Sequence, residues 1–512
     1  MSTSPQEKPL TPDPDPDPAP GQDPAPAQDG HPHPQRWLIL GVLCIAVLTV
    51  VLDNTVLNVA IPSLTRELDA GTSDIQWMIN AYSLVQSGLL LTAGSAADRY
   101  GRKKMLVAGL ALFGVGSLVA GLADSTGQLI AARAGMGVGG ALLMTTVLAV
   151  AIQIFTPEEQ PKAIGIWAAV NSLGFAAGPL LGGFMLNHFW WGAIFLINIP
   201  VAVLALVAVV VLVPESKNPQ GDRPDLLGAV LSTIGMASLV YAIISGPEHG
   251  WTSGRVLGTA TVAIVVLAAF AYWESRIPYP MLDLHFFRNR QFTGAIAGGV
   301  LITFGMGGSL FLLTQHMQFV LGYEPLEAGL RTAPLALMIV ALNFTGVATK
   351  CATRLGTPLA IGLGMAVMAG GLASIALMPS GEYTGTLLGL VLIGAGAAVA
   401  SPAMSHAIMS AIPPAKAGVG GGINGMVAEL GTGLGVAVLG AVLNARFAAL
   451  VTVAAVSLPG ALAAAGSDAE RARITDAFAS GLETSQLVGA VAVLLGGLVA
   501  MVLLRRAERA GA

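Results

Sequence analysis

Three ionisable side chains lie inside long apolar stretches of the sequence: Asp53, Arg133 and Glu429. A charged side chain at the centre of a bilayer costs roughly 2.5 to 3.5 kcal/mol on insertion scales, so each needs a partner or a wet cavity. A carboxyl group in such a place can bind and release a proton, and a nearby guanidinium changes how readily it does so. These residues are therefore candidates for proton binding within a membrane.

The apolar runs place Asp53 and Arg133 at a similar depth. Asp53 lies about eight residues from one end of its run and Arg133 about six from the matching end of its own, roughly 9 to 12 Å below the surface at about 1.5 Å per residue. The two side chains can therefore pair. A static ion pair that only locks two helices together is the competing interpretation. Glu429 is a second candidate acid, for protons or for cations, with a helix–helix hydrogen bond as its alternative.

The composition indicates that water is not the main solvent of this chain. Of its 512 residues, 54% are hydrophobic and 11% are charged, whereas soluble domains are near a quarter charged. Apolar runs of roughly 20 residues, long enough to cross about 30 Å of hydrocarbon as helices, repeat along the sequence. They are continuous rather than alternating, so an all-α integral membrane bundle is favoured over a membrane β-barrel.

Fourteen apolar runs can be counted, and the charges between them predict a topology. Lys and Arg concentrate in alternate loops, and the short opposite segments hold only Arg66, Arg255 and Arg331. The positive-inside rule then places both termini in the cytoplasm. The runs cover residues 37–61, 75–97, 105–123, 127–154, 162–186, 194–213, 226–245, 255–273, 292–315, 328–348, 357–378, 385–410, 416–443 and 485–504.

The loop between the second and third runs carries a compact motif. Gly101 allows a tight turn, and Asp98 can sit at a helix end and pair with basic neighbours. A positively charged loop that only sets topology is the alternative. The motif residues are Gly94, Asp98, Arg99, Gly101 and Arg102.

Small residues in the fifth run and polar residues in several runs form two further groups. Glycines let helices approach closely, and proline removes a backbone donor, so the fifth run is a candidate gate, with generic packing as the alternative. Its residues are Gly174, Gly178, Pro179, Gly182 and Gly183. The polar side chains that could line a cavity are Asn54, Thr55, Asn80, Tyr82, Gln86 and Asn171, with packing as the competing interpretation.

Together these motifs resemble those of the major facilitator superfamily, in particular its fourteen-helix drug:proton antiporter group. The resemblance rests on the loop motif, the fifth-run glycines, residues 52–62, residues 194–200, and Arg133 with the glycines that follow it. It implies the major facilitator fold, no enzymatic activity, and proton-coupled export of drugs, biocides or a self-produced antibiotic. Uptake or exchange of a metabolite by the same fold is the alternative.

The resemblance also implies roles for individual residues. Asp53 with Arg133 becomes the proton-coupling site, Glu429 a second acid, and the fifth-run glycines an antiporter motif. Two departures from the group are visible. Gly192 stands where the group usually has Arg, and Ala428-Glu429 replaces a common Arg-Gln pair.

The same resemblance predicts how the chain divides. Eleven of the thirty prolines fall within residues 1–34, which predicts a disordered cytoplasmic tail. An N-terminal six-helix half (35–213), two inserted helices with linkers (214–290) and a C-terminal six-helix half (291–504) follow, before a second cytoplasmic tail (505–512). Within the last half, 446–484 is predicted to be a long outer loop with a surface helix at 468–479. A weak echo of the loop motif at Arg354-Leu355-Gly356 supports the two-half division.

Other classes of function find little support. The net charge of -4 provides no basic field for nucleic acid. No nucleotide-binding loop of the form Gly-x4-Gly-Lys-Ser/Thr and no His-Glu-x-x-His pair occurs, so neither a nucleotide-driven pump nor an intramembrane enzyme is expected. The two cysteines form no metal-ligand spacing. We expect a monomer without cofactor or metal, whose partners are protons, the lipid bilayer and a small apolar or cationic molecule.

Overall fold

The computed structural model describes residues 34–68, 72–216, 225–377, 383–451 and 465–511, which form helices and no strands. Apart from Pro34, the tail predicted at 1–34 lies outside the described residues. The helices are α1 (Arg36–Glu67), α2 (Thr72–Tyr100), α3 (Arg102–Gly121), α4 (Thr126–Ile154), α5 (Gln160–His188), α6 (Ala193–Leu196), α7 (Asn198–Leu212), α8 (Leu226–His249), α9 (Gly254–Glu274), α10 (Arg290–Gln315), α11 (Pro325–Phe344), α12 (Val347–Leu355), α13 (Thr357–Leu377), α14 (Tyr383–Ser410), α15 (Ala417–Leu450) and α16 (Asp468–Gly511).

Among the described residues, twelve segments are long and apolar enough to cross a membrane, with α6 and α7 together forming one of them. Each of the fourteen runs picked out in the sequence overlaps a helix. Helices α2 and α5 are not among the twelve, although each has 29 residues and packs inside the bundle. The all-α, multi-pass architecture is confirmed, and the number fourteen stays a prediction.

Apolar packing inside the bundle separates into two main cores. One is built from residues between Ile39 and Val213, and the other from residues between Phe270 and Leu504 together with Leu91. Large side chains such as Leu204 and Val211 remain exposed on the outside of the bundle. Because lipid tails are as apolar as leucine, close packing between small residues, rather than escape from water, must hold these helices together.

The crossing of α1 with α5 shows how such close packing is achieved. The Thr55 hydroxyl donates a hydrogen bond to the carbonyl of Gly174 across the crossing, at 3.4 Å. A Cβ added at Gly178 would collide with the Thr55 side chain. The two backbones can approach this closely only because α5 carries glycine here.

The crossing of α10 with α15 repeats this geometry in the second core. The Thr303 hydroxyl donates to the carbonyl of Val427 at 3.3 Å. A Cβ added at Gly431 would collide with the Thr303 side chain. Thr303 is therefore the counterpart of Thr55. Leu301 precedes Thr303 by the same spacing as Asp53 precedes Thr55, so Leu301 is the counterpart of Asp53.

A second pair of crossings follows the same rule. Gly109 of α3 packs against Gly139 of α4, and Gly364 of α13 packs against Gly396 of α14. Arg133 precedes Gly139 on α4 by the same number of residues as Leu390 precedes Gly396 on α14, so Leu390 is the counterpart of Arg133.

Each of the helices α3 and α13 is also preceded by a glycine with a positive φ, +112° at Gly101 and +79° at Gly356.

The long outer loop predicted at 446–484 is wrong in extent. Helix α15 continues to Leu450, and α16 begins at Asp468 and runs without a break into the last apolar run. Ile474, Phe478 and Leu482 are buried in the second core. Their helical spacing builds a packed face, so the segment predicted as a separate surface helix is the first part of α16.

Helices α8 and α9 pack against each other, and α8 also contacts α2 and α15. Thr92 of α2 lies 3.3 Å from Thr233 of α8, hydroxyl to hydroxyl. On the other side, Ile243 of α8 lies against Gly433 of α15. The hairpin thus bridges a helix that belongs with the first core and one that belongs with the second.

Candidate functional site

Asp53 and Arg133 form an ion pair inside the first core. Nη1 of Arg133 donates to Oδ2 of Asp53, and each side chain is 1% exposed. The pair joins the middle of α1 to the first third of α4. The structure therefore brings together the two charges that the sequence placed at one depth.

The other oxygen of Asp53 is held by Asn198. Nδ2 of Asn198 donates to Oδ1 of Asp53 at 3.0 Å, and Asn198 is 4% exposed. Asn198 is the first residue of α7, next to the break after α6, and Pro200 is tolerated in this first turn because its missing N–H has no helical acceptor there. Our sequence reasoning did not select Asn198. The available signal was an amide within an apolar run, two residues before a proline.

The guanidinium of Arg133 has further partners on α1 and α2. Its Nε donates to the carbonyl oxygen of Met78 at 3.1 Å, and its Nη2 donates to Oδ1 of Asn54 at 3.4 Å. The group also lies over the ring of Tyr82, 4.5 Å from the centroid. A buried charge with these contacts keeps much of the stabilisation that water would provide.

Tyr82 and Gln86 continue the polar cluster away from the ion pair. Nε2 of Gln86 donates to the Tyr82 hydroxyl at 3.3 Å. A Cβ added at Gly140 of α4 would lie 2.9 Å from Nε2 of Gln86, so glycine leaves the room that these side chains need. Asn54 and Tyr82 from the predicted polar set therefore contact Arg133, and Gln86 is joined to the cluster through Tyr82.

Two other members of the polar set, Asn171 and Asn80, are half-buried. Asn171 lies on α5, and its Nδ2 donates to the carbonyl of Trp167 on the same helix at 2.8 Å. Asn80 lies on α2. A cavity-lining role for these residues stays a prediction.

Glu429 of α15 approaches the cluster from the second core. It is half-buried and makes no hydrogen bond or ion pair with the residues that the structure describes. Its carboxyl group is close enough to Tyr82 for its charge to act on the phenol. The described residues thus offer no partner for the alternative helix–helix hydrogen bond, and a role for Glu429 stays a prediction.

The glycines of α5 form a stripe that faces α1. Gly174 lies against Val51, Gly178 against Thr55, and Gly182 against Val56. Gly183 is half-buried, and Pro179 belongs to α5 with its side chain outside the described part of the chain. The stripe lets α1, which carries Asp53, lie directly on α5.

We expect Gly178→Ala to destabilise the protein by about 1 to 3 kcal/mol, because the new methyl group would overlap the Thr55 side chain. Thermal unfolding in detergent micelles measures the effect. Gly135→Ala on α4 is the matched control, since a Cβ there meets nothing within 4 Å. Thr55→Ala should restore part of the stability of Gly178→Ala; equal losses in the two glycine variants would contradict the packing argument.

The loop motif joins the two cores at one end of the bundle. Oδ1 of Asp98 accepts from Nη2 of Arg102 and from the backbone N–H of Gly418, both at 2.8 Å. Its Oδ2 accepts from the N–H of Val419 at 3.1 Å, and Nη2 of Arg102 donates to the carbonyl of Pro414 at 2.8 Å. The expectation that Asp98 pairs with a basic neighbour is confirmed, and the contact with the first turn of α15 is new.

The remaining motif residues complete the same junction. Gly94 packs directly on the backbone of Gly418. Gly101 adopts the φ of +112°, and a Cβ there would meet the carboxyl group of Glu215. The Arg99 guanidinium lies over the Tyr100 ring, 5.5 Å from its centroid.

Comparison with known proteins identifies the family of this chain. The Major Facilitator Superfamily profile matches residues 43–436. This chain belongs to the Major Facilitator Superfamily. It is 34% identical to a multidrug efflux pump of Mycolicibacterium smegmatis over 491 residues, 92% of this chain and 97% of that protein.

Two other proteins are similar to this chain over most of its length. A tetracenomycin C resistance and export protein of Streptomyces glaucescens is 33% identical over 80% of this chain and 76% of its own length. A methyl viologen resistance protein of Salmonella typhimurium is 34% identical over 82% of this chain and 85% of its own length. Among solved structures, the human organic anion transporter MFSD10 has a TM-score of 0.62 at 14% identity, covering 91% of this chain and all of that one, which supports the fold.

Proposed function

We propose that this superfamily member exports small organic molecules across the cytoplasmic membrane in exchange for protons. The observation that carries the proposal is the buried Asp53–Arg133 pair, a carboxyl group deep in the bundle whose charge is balanced by one guanidinium. A proton bound by Asp53 would neutralise the carboxylate and remove its attraction for Arg133. Helix α1 would then be held less firmly to α4 and α7, and proton binding would be linked to helix movement.

The proposed transport cycle alternates access between two six-helix halves, 35–213 and 291–504, with α8 and α9 inserted between them. The repeated crossings with Thr55 and Thr303 support this division. With fourteen spans and both termini in the cytoplasm, the Asp98–Gly418 junction lies at the cytoplasmic end. The halves meet there, so we assign this structure to a state closed toward the cytoplasm.

The proposed cargo is an apolar or cationic organic molecule. The similar proteins are described as exporting or conferring resistance to drugs, an antibiotic and methyl viologen, the last a dication. The half-buried carboxyl group of Glu429, without an ion-pair partner among the described residues, suits a cationic cargo. We propose no cofactor, metal or nucleic acid as a partner, and a monomer as the working unit.

Transport by purified protein in liposomes tests this function. An imposed pH gradient, acidic on the side that receives the cargo, should drive a lipophilic cationic dye out of the dye-loaded compartment, and collapse of the gradient should stop it. Uptake or exchange of a metabolite is the second candidate, because the same fold supports it. Counterflow of candidate metabolites without any response to drugs or dyes would favour that alternative.

We expect Glu429→Gln to reduce transport of cationic cargo at least about tenfold, while neutral cargo moves at a rate within about twofold of wild type, since about 1.4 kcal/mol of lost attraction is a tenfold change. Initial efflux rates of one cationic and one neutral dye measure the difference. Asp476→Asn, which removes an exposed carboxylate of α16, is the matched control. Equal losses for both dyes would mean that Glu429 supports the bundle rather than the cargo.

A further inference from the structure

A second pair of acids lies away from the Asp53 cluster, where the two inserted helices meet. Asp225 caps the first turn of α8. Its Oδ1 accepts from the backbone N–H of Gly228 at 2.8 Å and from the indole N–H of Trp273 at 2.9 Å. One oxygen of this carboxyl group is therefore fully used by neutral donors.

Glu274 is the last residue of α9 and is 3% exposed. Its Oε2 accepts from the backbone N–H of Leu282 at 3.0 Å, which ties the linker after α9 to the helix end. A buried carboxylate usually has several N–H donors or a basic partner. Glu274 has a donor on one oxygen.

The two remaining oxygens, Oδ2 of Asp225 and Oε1 of Glu274, face each other. Both are buried, and neither receives a hydrogen bond from an N–H or hydroxyl group of the described residues. A methyl group placed at Gly228 would touch both of them. The two carboxyl groups lie within hydrogen-bonding reach of each other.

The charged groups that the structure describes around the pair do not donate to the two remaining oxygens. Among the described residues, Lys416, just before α15, is a cation whose charge reaches Glu274, and its Nζ donates to the carbonyl of Pro280 at 3.0 Å. In the linker, the carboxyl group of Asp283 accepts from His285 at 2.8 Å. From α2, the neutral Thr92 contacts the first half of α8.

We propose that Asp225 and Glu274 bind one proton between them at neutral pH. Two carboxylate oxygens in contact would repel, whereas a single proton makes one oxygen a donor to the other. The site is a proton-binding site distinct from Asp53, and the proton belongs to the pair rather than to either residue. Raising the pH releases it to water and leaves two carboxylates in contact.

This proton holds helices α8 and α9 together, because it joins the start of α8 to the end of α9. The linker after α9 is fixed at two points: the N–H of Leu282 donates to Glu274, and the carbonyl of Pro280 accepts from Lys416, just before α15. Loss of the proton would separate the two helix ends. Protein stability should therefore fall as the pH rises through the range in which the pair loses its proton.

Infrared spectroscopy and thermal unfolding of the purified full-length protein test this inference without any transport assay. Wild type should show a carboxylic acid C=O band that disappears as the pH is raised, together with a falling unfolding temperature. In Glu274→Gln, the amide N–H₂ can donate to Asp225 in place of the proton. This variant should lack that band component and lose less stability at high pH.

Asp225→Asn provides an independent check, since its amide can donate to Glu274 while its oxygen still caps α8. It should show the same loss of pH dependence. Asp124→Asn, at an exposed carboxylate, should behave as wild type. The proposal is overturned if wild type and Glu274→Gln lose stability in parallel with rising pH, or if added sodium or magnesium ions, rather than protons, stabilise wild type.

Discussion

Asp53→Asn is expected to reduce pH-gradient-driven efflux to the level of protein-free liposomes. The asparagine keeps the size of the side chain and one acceptor oxygen, which can face Arg133. It cannot bind and release a proton between about pH 5 and 9. Without a titrating group, a proton gradient has nothing to act on at this position. Dye efflux from proteoliposomes with an imposed pH gradient measures the loss.

A second assay separates coupling from folding. Counterflow needs only that the carrier alternates with cargo bound, so Asp53→Asn should still exchange labelled for unlabelled dye. Asp124→Asn removes an exposed carboxylate and serves as the matched control, with full gradient-driven efflux expected. Full efflux by Asp53→Asn would instead leave the Asp53–Arg133 pair as a static tie between α1 and α4.

Arg133→Leu should destabilise the protein by about 3 to 5 kcal/mol, because it leaves the Asp53 carboxylate buried without its counter-charge. The double variant Asp53→Leu/Arg133→Leu should recover most of that loss. The second half of the molecule already uses this solution, since Leu301 and Leu390 stand at the equivalent positions of α10 and α14. A buried ion pair is often replaced by apolar residues at little cost or with a gain in stability.

A double-mutant cycle on thermal or denaturant unfolding in micelles measures this coupling. The single variants Asp53→Leu and Arg133→Leu complete the cycle. The double variant should fold and yet show no gradient-driven efflux, which would separate the stability of the pair from its role in coupling. A double variant as unstable as the sum of the two single variants would show that the partners Asn198 and Asn54 do not tolerate an apolar site.

Much of the architecture follows from the sequence for two reasons. The length of an apolar run shows whether it can span a bilayer, and the position of a residue within its run gives its depth. Runs of about 20 apolar residues predicted the helices, and the positions of Asp53 and Arg133 within their runs predicted a shared depth. The glycines of α5, spaced four apart, predicted a close helix crossing. The loop motif predicted that Asp98 would pair with a basic neighbour, and Arg102 is that neighbour.

The same reasoning failed where polarity is not a measure of burial. The charged residues before the last apolar run predicted an outer loop, but Ile474 and Phe478 pack into the second core. Local charge cannot reveal that one face of a helix is covered by another helix. Asn198 was missed for a related reason. Its position in an apolar run indicates its depth in the bilayer, but not that its side chain meets Asp53 on another helix.

The sequence alone determined which segments are apolar enough to enter a membrane and how deep each charge lies, since both depend on distance along one helix. The tertiary structure alone decided which helices touch, and so which oxygen meets which nitrogen. Asp98 reaches the backbone N–H groups of Gly418 and Val419, and Glu274 reaches Asp225, across separations that no local pattern encodes. Such contacts depend on how each helix is rotated about its own axis, and that rotation is set by the shapes of all its neighbours at once.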